Sequence, residues 1–365
     1  MEHEPQAQNT LAGGSEKRRR PRYPGTHPRQ FEQRYKELDP EAHPEIQEHV
    51  RAQGRTPAGT HVPVLLNEVM DSLAPAPGEI VADCTVGYGG HAVEFLRRIA
   101  PNGRLIGFDV DPVAIEKARA RLARVGGSFS LHRGNYAGIG KLLASERLAG
   151  YDIIFADLGV SSMQIDDPAR GFSYKHDGPL DMRMDARIRS TAADLLATLS
   201  FEQLSSALAV LGDEPDHERI ARRIVQQRAS HPIARTSDLV RLILDAKGLA
   251  RRAWRQPAVS GAGGIHPAAL TFQALRILVN DELAALSQLL RMAPYCLRTG
   301  GRIGIISFHS GEDRLVKHAF KDGLRAGVYA AVCEEVVRPS PQELRANPRS
   351  APAKFRWARK PHSEH

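Results

Sequence analysis

The sequence predicts an α/β protein: a parallel, doubly wound sheet with an all-helical domain inserted into it. Three observations carry this. Strand-length apolar runs alternate with helical patterns from Val62 to Asp157. The rhythm stops over 166–264, where helical spacing continues without a convincing strand. It resumes with a long helical pattern, Thr271 to Leu297, and the apolar run Arg302-Ile-Gly-Ile-Ile-Ser-Phe308. The expected organisation is a sheet domain formed by 59–165 and 265–365, an inserted helical substrate-recognition domain over 166–264, and a basic N-terminal tail over 1–58.

The elements follow in order. Residues 79–85 read as the first strand and His91 to Ala100 as a helix. A second strand spans 104–109. Asp111-Pro112 then supplies an N-cap and a proline at the first helical position, and Ile115, Ala118, Leu122 and Val125 recur at helical spacing. A third strand covers 128–132, a short helix 137–148, and a fourth strand Tyr151 to Asp157. In the insertion, Ser200 and Gln203 form a capping box. In the helix over 217–228, Ile220, Ala221, Ile224 and Val225 make an apolar face, with Arg219, Arg222 and Arg223 elsewhere. Arg251-Arg-Ala-Trp-Arg255 leads into the flexible run Gly261-Ala-Gly-Gly264. A Gly300-Gly301 turn precedes the strand over 302–308, and a late strand around Phe355 to Ala358 closes the sheet.

The chain has 365 residues, 42% of them hydrophobic, enough for a large core and two structural units. A net charge of +8 points to a polyanion, nucleic acid first. Cys84, Cys296 and Cys333 lie far apart without C-x-x-C spacing, which argues against a disulfide framework or a cysteine-rich zinc site and suits the cytoplasm. No 18-residue apolar run and no signal-like N-terminus occur, so neither a membrane nor secretion is expected. Residues 1–58 are polar and rich in charge and proline, with Lys17-Arg18-Arg19-Arg20, and read as a disordered tail.

The first strand runs into Gly87, Gly89 and Gly90, which let backbone approach a ligand without Cβ atoms in the way. Asp109, about 20 residues on, stands where such folds set a carboxylate against a ribose. An adenosine-containing cofactor is expected. Gly87-x-Gly89-x-x-Ala92 fits a dinucleotide fingerprint, so an NAD-dependent oxidoreductase is one reading. Asp83, just before the turn, favours S-adenosylmethionine instead, because its carboxylate suits an ammonium group and gives a pyrophosphate nothing. The bland role for Asp83 and His91 is capping of turn and helix. The fourth strand ends at Asp157-Leu-Gly-Val-Ser-Ser162, at the carboxyl edge where open sheets bind ligands. Asp157 is therefore the candidate catalytic residue, accepting hydrogen bonds from an amine and turning its lone pair towards the methyl group; its bland role is loop bonding.

Asp157 to Ser162, together with Gly171-Phe-Ser-Tyr-Lys-His-Asp-Gly-Pro-Leu-Asp-Met-Arg-Met-Asp185, resembles the bacterial 16S rRNA cytosine-N4 methyltransferase family. Further matching segments are His61 to Glu68, Gly89-Gly-His91, His266-Pro267, Thr271 to Ile277, Ser307-Phe-His-Ser310 with Glu312-Asp-Arg314, and Asn347-Pro-Arg-Ser350. The resemblance implies a class I (Rossmann-like) S-adenosylmethionine-dependent methyltransferase sheet with an inserted helical domain. It implies N4 methylation of a cytosine in the decoding centre of the small ribosomal subunit, with 16S rRNA as partner. By motif, the cofactor contacts are Gly89, Gly90, His91, Asp109, Tyr136, Asp157 and Gln164, with Tyr136 flanking the adenine. Phe172, Tyr174 or Phe308 is expected to stack on the cytosine.

The chain departs from the family in three places. Leu270 stands where an arginine is usual, Gly311 where a leucine is usual, and the N-terminal tail is additional. It also lacks the Asp/Asn-Pro-Pro-aromatic loop of many amine methyltransferases. Asp177, Asp181 and Asp185 suggest a metal, but spaced carboxylates beside Gly178-Pro179 more often shape a loop, and no metal is expected. Ser307, His309 and Asp313 suggest a hydrolase triad without the Gly-x-Ser-x-Gly elbow. A reading from a different class is a non-catalytic RNA-binding assembly factor with a vestigial pocket. Monomer and homodimer are both compatible with the sequence.

Overall fold

The computed structural model describes residues 63–250 and 265–362. The expectations for 1–58, His61, Arg251 to Arg255 and Gly261 to Gly264 lie outside the described residues.

The chain enters through helix α1 (Leu66–Leu73), then β1 (Ile80–Asp83), α2 (Gly90–Ile99), β2 (Arg104–Asp109), α3 (Pro112–Val125), β3 (Ser128–Arg133), α4 (Ile139–Ser145) and β4 (Tyr151–Asp157). These four strands are parallel. Because β1 pairs with both β2 and β4, the chain reverses its winding direction beside β1, and a crevice opens there at the carboxyl ends. The expected caps are present: Asp111 accepts the Val113 amide at 2.9 Å, with Pro112 in the first turn of α3.

After α5 (Ser162–Asp166) come the helices α6 (Ala192–Thr198), α7 (Phe201–Gly212), α8 (His217–Arg228) and α9 (Thr236–Ala246). Helix α7 starts at the expected capping box of Ser200 and Gln203. In α8, Ile220, Ala221 and Ile224 are buried while Arg219, Arg222 and Arg223 are exposed.

The chain then returns through α10 (Ala269–Asn280), α11 (Glu282–Cys296), β5 (Leu297–Ser307), α12 (Ser310–Arg325), β6 (Ala331–Val332), α13 (Pro341–Ala346) and β7 (Lys354–Arg359). The strand order is β3-β2-β1-β4-β5-β7-β6, with β5 parallel to β4, and β7 antiparallel to both β5 and β6. This is the doubly wound α/β sheet that the sequence predicts, mixed rather than wholly parallel because β7 runs antiparallel between β5 and β6.

Side chains alternate across the pleat to build two cores. Val81, Leu105, Ile153, Phe155, Ile306 and Phe355 face the layer of α1, α2 and α3. Their neighbours Ala82, Ile106, Ile154, Ala156, Ile305 and Ala358 face α4, α11 and α12. A third core joins α6 to α9 with Phe172, Leu180 and Met182, and the apolar face of α10 belongs to it.

Two local expectations are corrected. The single helix over 271–297 is two, broken at Asp281, whose φ is 50° and ψ 42°. The apolar spacing runs through the break, so periodicity hides it, while Asn280-Asp281 is a pair that tolerates the left-handed region. Asn280 uses its carboxamide there, accepting the Met184 amide at 2.7 Å and donating to the Met182 carbonyl at 2.8 Å. Gly300-Gly301 is an irregularity inside β5, where the register against β4 shifts, and does not precede the strand. The two-residue strand β6 was too short to read.

Candidate functional site

The loops that follow β1, β2, β3 and β4 open onto a cavity of about 590 Å³. Gly90, His91, Asp109, Tyr136, Asp157 and Gln164 all line it. Sequence positions spread over 75 residues thus meet at one sheet edge.

The glycine turn is built for close approach. Gly89 caps α2 at φ 81°, a conformation that favours glycine, and a Cβ on Gly90 would lie 2.8 Å from Pro63 Cγ. Asp109 fixes the turn from β2: one carboxylate oxygen accepts the Gly87 amide at 2.8 Å, the other the Asp111 amide at 2.9 Å. Burial nonetheless raises its pKa.

Asp83 and Gly89 are not among the lining residues. Asp83 is 1% exposed, and its carboxylate accepts the Thr85 amide at 3.1 Å. Burial, with Asp109 nearby, raises its pKa to about 7. Asp83 therefore supports the loop from behind the cavity wall. Thr85 passes that support on, its hydroxyl oxygen accepting the Asp157 amide at 2.7 Å.

Asp157 is the most unusual group in the site. Its Oδ1 is buried and has no hydrogen-bond partner among the described residues. Its Oδ2 lies 3.7 Å from His91 Nδ1. The His91 Nε2–H donates to the Val64 carbonyl at 2.9 Å, which fixes the ring. Burial, then Asp83, Glu312 and Glu343, push the Asp157 carboxyl well above its ordinary pKa. An aspartate so placed sits in a desolvated, negative environment, and a cation entering the cavity would lower its pKa again.

Gln164 reaches the cavity wall from α5. Its amide oxygen accepts the Ser161 amide at 3.0 Å, and its Nε2 donates to Asp111 at 3.3 Å. Its local task is thus a capping box that orients the loop beyond Asp157. Tyr136 sits beyond β3; burial, with Glu282 and Glu312 nearby, raises its phenol pKa.

The three aromatics expected to hold a base, Phe172, Tyr174 and Phe308, line the same cavity. The Tyr174 ring stacks on His266, centroids 4.3 Å apart at 9°. The aspartates that suggest a metal are each committed to an arginine: Asp177 to Arg235, Asp181 to Arg183, and Asp185 to Arg187 and Arg133. Among the described residues no group of three or more His, Cys, Asp or Glu is placed to hold a metal, and no helix is long and apolar enough to cross a membrane. Asp313 binds Lys354 and Arg356, while His309 caps α12 with Glu312, so the Ser307, His309 and Asp313 set is not a triad.

Sequence reasoning did not single out a charged cluster in the cavity wall. Arg276 forks onto Glu282 at 2.8 and 2.9 Å, and Glu312 accepts the Phe308 amide at 2.8 Å. The available signal was one guanidinium in the otherwise apolar run Ala274-Leu-Arg-Ile-Leu-Val279.

Comparison with known proteins agrees with this geometry. The model of the MraW methylase family matches residues 58–361. Ribosomal RNA small subunit methyltransferase H 1 of Lachnoclostridium phytofermentans is 42% identical over 345 residues, 93% of this chain and 92% of that protein. Ribosomal RNA small subunit methyltransferase H of Acidothermus cellulolyticus is 44% identical over 321 residues, 83% of this chain and 94% of that protein. A match along this length, over a cavity that gathers the motif residues of four strand ends, leaves one assignment: the chain belongs to the MraW methylase family.

Proposed function

We propose that this methylase transfers a methyl group from S-adenosylmethionine to the exocyclic N4 of a cytosine in the decoding centre of 16S rRNA, in the cytoplasm. The names of its relatives support ribosomal RNA of the small subunit as the substrate class. The observation that carries the reading is the partnerless Oδ1 of Asp157, in one cavity with the glycine turn and three aromatic rings.

The residues present fit the cofactor. Gly87 and Gly90 offer backbone without Cβ obstruction at the cavity wall, Asp109 faces the cavity beside them, and Tyr136 offers an aromatic face for adenine. When bound, S-adenosylmethionine supplies a methyl group on an electrophilic sulfonium. The chain's own part is positioning. Asp157 accepts a hydrogen bond from the N4 amine and turns its lone pair towards the methyl. His91 stands beside the carboxyl of Asp157, with Nδ1 3.7 Å from Oδ2, and Phe172, Tyr174 or Phe308 stacks on the ring. Residues 166–264 serve as the substrate-recognition domain, with exposed Arg219, Arg222 and Arg223 available to phosphates.

Two assays test this reading. Calorimetry with S-adenosylmethionine and with NAD separates a methyl-donor site from a vestigial or dinucleotide pocket: the first ligand is expected to bind and the second not. Methyl label is then followed into rRNA, offered naked and as assembled small subunits. Failure to take up S-adenosylmethionine, or binding of NAD in its place, overturns the proposal.

A further inference from the structure

Arg349 and Asp166, 183 positions apart in the chain, meet at the edge of the cavity, which both line. Arg349 Nη2 donates to both carboxylate oxygens, at 2.9 and 3.0 Å. Only that nitrogen is engaged: among the described residues, Nε and Nη1 of Arg349 make no hydrogen bond. The side chains are 46% and 22% exposed, so water screens the pair and it is easily exchanged.

The backbone beneath Arg349 is, by contrast, firmly fixed. Ser350 is fully buried, and its hydroxyl donates to the Asn347 carbonyl at 2.8 Å. The Ala353 amide closes onto the Ser350 carbonyl at 2.8 Å, just before β7 enters the sheet. Helix α13, immediately upstream, is tied to the other side of the site, Glu343 accepting the Leu65 amide at 2.9 Å. A mobile guanidinium thus stands on a rigid mount at the mouth. Lys175 is a second exposed cation lining the same cavity.

A nucleotide that places its base among Phe172, Tyr174 and Phe308 must leave its phosphates at the mouth. We propose that Arg349 is a positioning residue for the acceptor strand: its guanidinium exchanges Asp166 for a phosphodiester beside the target cytidine, and Asp166 holds it ready while the site is empty. The proposal rests on the RNA reading above. Asp166 therefore competes with RNA for Arg349, and removing either partner has opposite consequences. A merely structural ion pair predicts the same consequence for both.

The test uses the full chain, S-adenosylmethionine, and small ribosomal subunits from a strain lacking this enzyme. Arg349→Ala is expected to raise KM for subunits roughly three- to tenfold, with kcat and cofactor affinity unchanged, as for one lost phosphate contact. It also lowers the slope of log KM against log salt by about one. Arg349→Lys retains most of the subunit affinity. Asp166→Asn lowers KM, and that gain disappears in the double variant with Arg349→Ala. A rise in KM for Asp166→Asn matching that of Arg349→Ala overturns the proposal, as does an Asp166→Asn gain that persists without Arg349. Wild-type protein that methylates no subunits overturns the function reading and this one with it. Active wild type with parallel variants overturns only the role of Arg349.

Discussion

Thr85, two residues beyond β1, accepts the backbone amide of Asp157 at the end of β4 at 2.7 Å. That single hydrogen bond joins the turn assigned to the methyl donor to the residue assigned to the acceptor. Asp83 braces the same loop from behind by accepting the Thr85 amide. The threonine hydroxyl thus extends the contact between the two loops beyond the β1–β4 ladder and the Cys84 amide's bond to the Phe155 carbonyl.

Thr85→Val keeps the shape of the side chain and leaves the Asp157 amide without its partner. The expected cost is about 1–3 kcal/mol of stability and a fall in kcat of roughly tenfold, while Thr85→Ser behaves nearly as wild type. Thermal melts and single-turnover rates check this; equal activity of the valine variant would remove Thr85 from the account.

Asp157→Ala is expected to lower methyl transfer by about a hundredfold or more, with cofactor affinity partly kept. Asp157→Asn retains an oxygen acceptor and should fall between the two. Turnover in the alanine variant equal to wild type would refute the catalytic assignment.

Burial penalises the Asp83 anion and pushes its pKa in the folded protein up to about 7, from the usual aspartate value near 3.8. For a raised carboxyl the folded state binds the extra proton, so its contribution is intact below pH 4 and is lost as pH rises towards 7. The loss is about 1.4 kcal/mol per pH unit in that window and levels off above it. Urea unfolding from pH 4 to 8 should show the stability advantage of Asp83→Asn growing with pH and then flattening. A constant difference between the two proteins contradicts the assignment.

The raised carboxyls of Asp157 and Asp83 also couple cofactor binding to protons. A sulfonium in the cavity that Asp157 lines lowers the Asp157 pKa, and to a smaller extent that of Asp83 behind it, so binding releases protons and affinity for S-adenosylmethionine rises with pH. Calorimetry in two buffers of different ionisation enthalpy should report that release. S-adenosylhomocysteine, which lacks the sulfonium charge, should release fewer protons; identical values for the two ligands would contradict the linkage.

Much of this was legible in the chain because sheet position follows from short-range pattern. The strand-end residues Asp109 and Asp157 and the turn at Gly87 to Gly90 could be placed by alternation alone. Tyr136 and Gln164 came only through the family resemblance, since a tyrosine after a strand and a glutamine in a cap look ordinary. What escaped depends on three-dimensional closure. Arg276, Glu282 and Glu312 become neighbours only when α10, α11 and α12 pack together, and the break at Asp281 that brings Glu282 back onto Arg276 lies within an unbroken apolar period. Asp83 was expected at the ligand itself. It is instead buried outside the cavity lining and bonded to the Thr85 amide, which spacing does not encode.

The most direct test of the central claim is the identity of the modified nucleoside. Small subunits lacking the modification are incubated with the protein and labelled S-adenosylmethionine, and the rRNA is digested for mass spectrometry. The account predicts label in N4-methylated cytidine at one decoding-centre position. Label confined to a ring-carbon methyl, or absent from rRNA altogether, would contradict it.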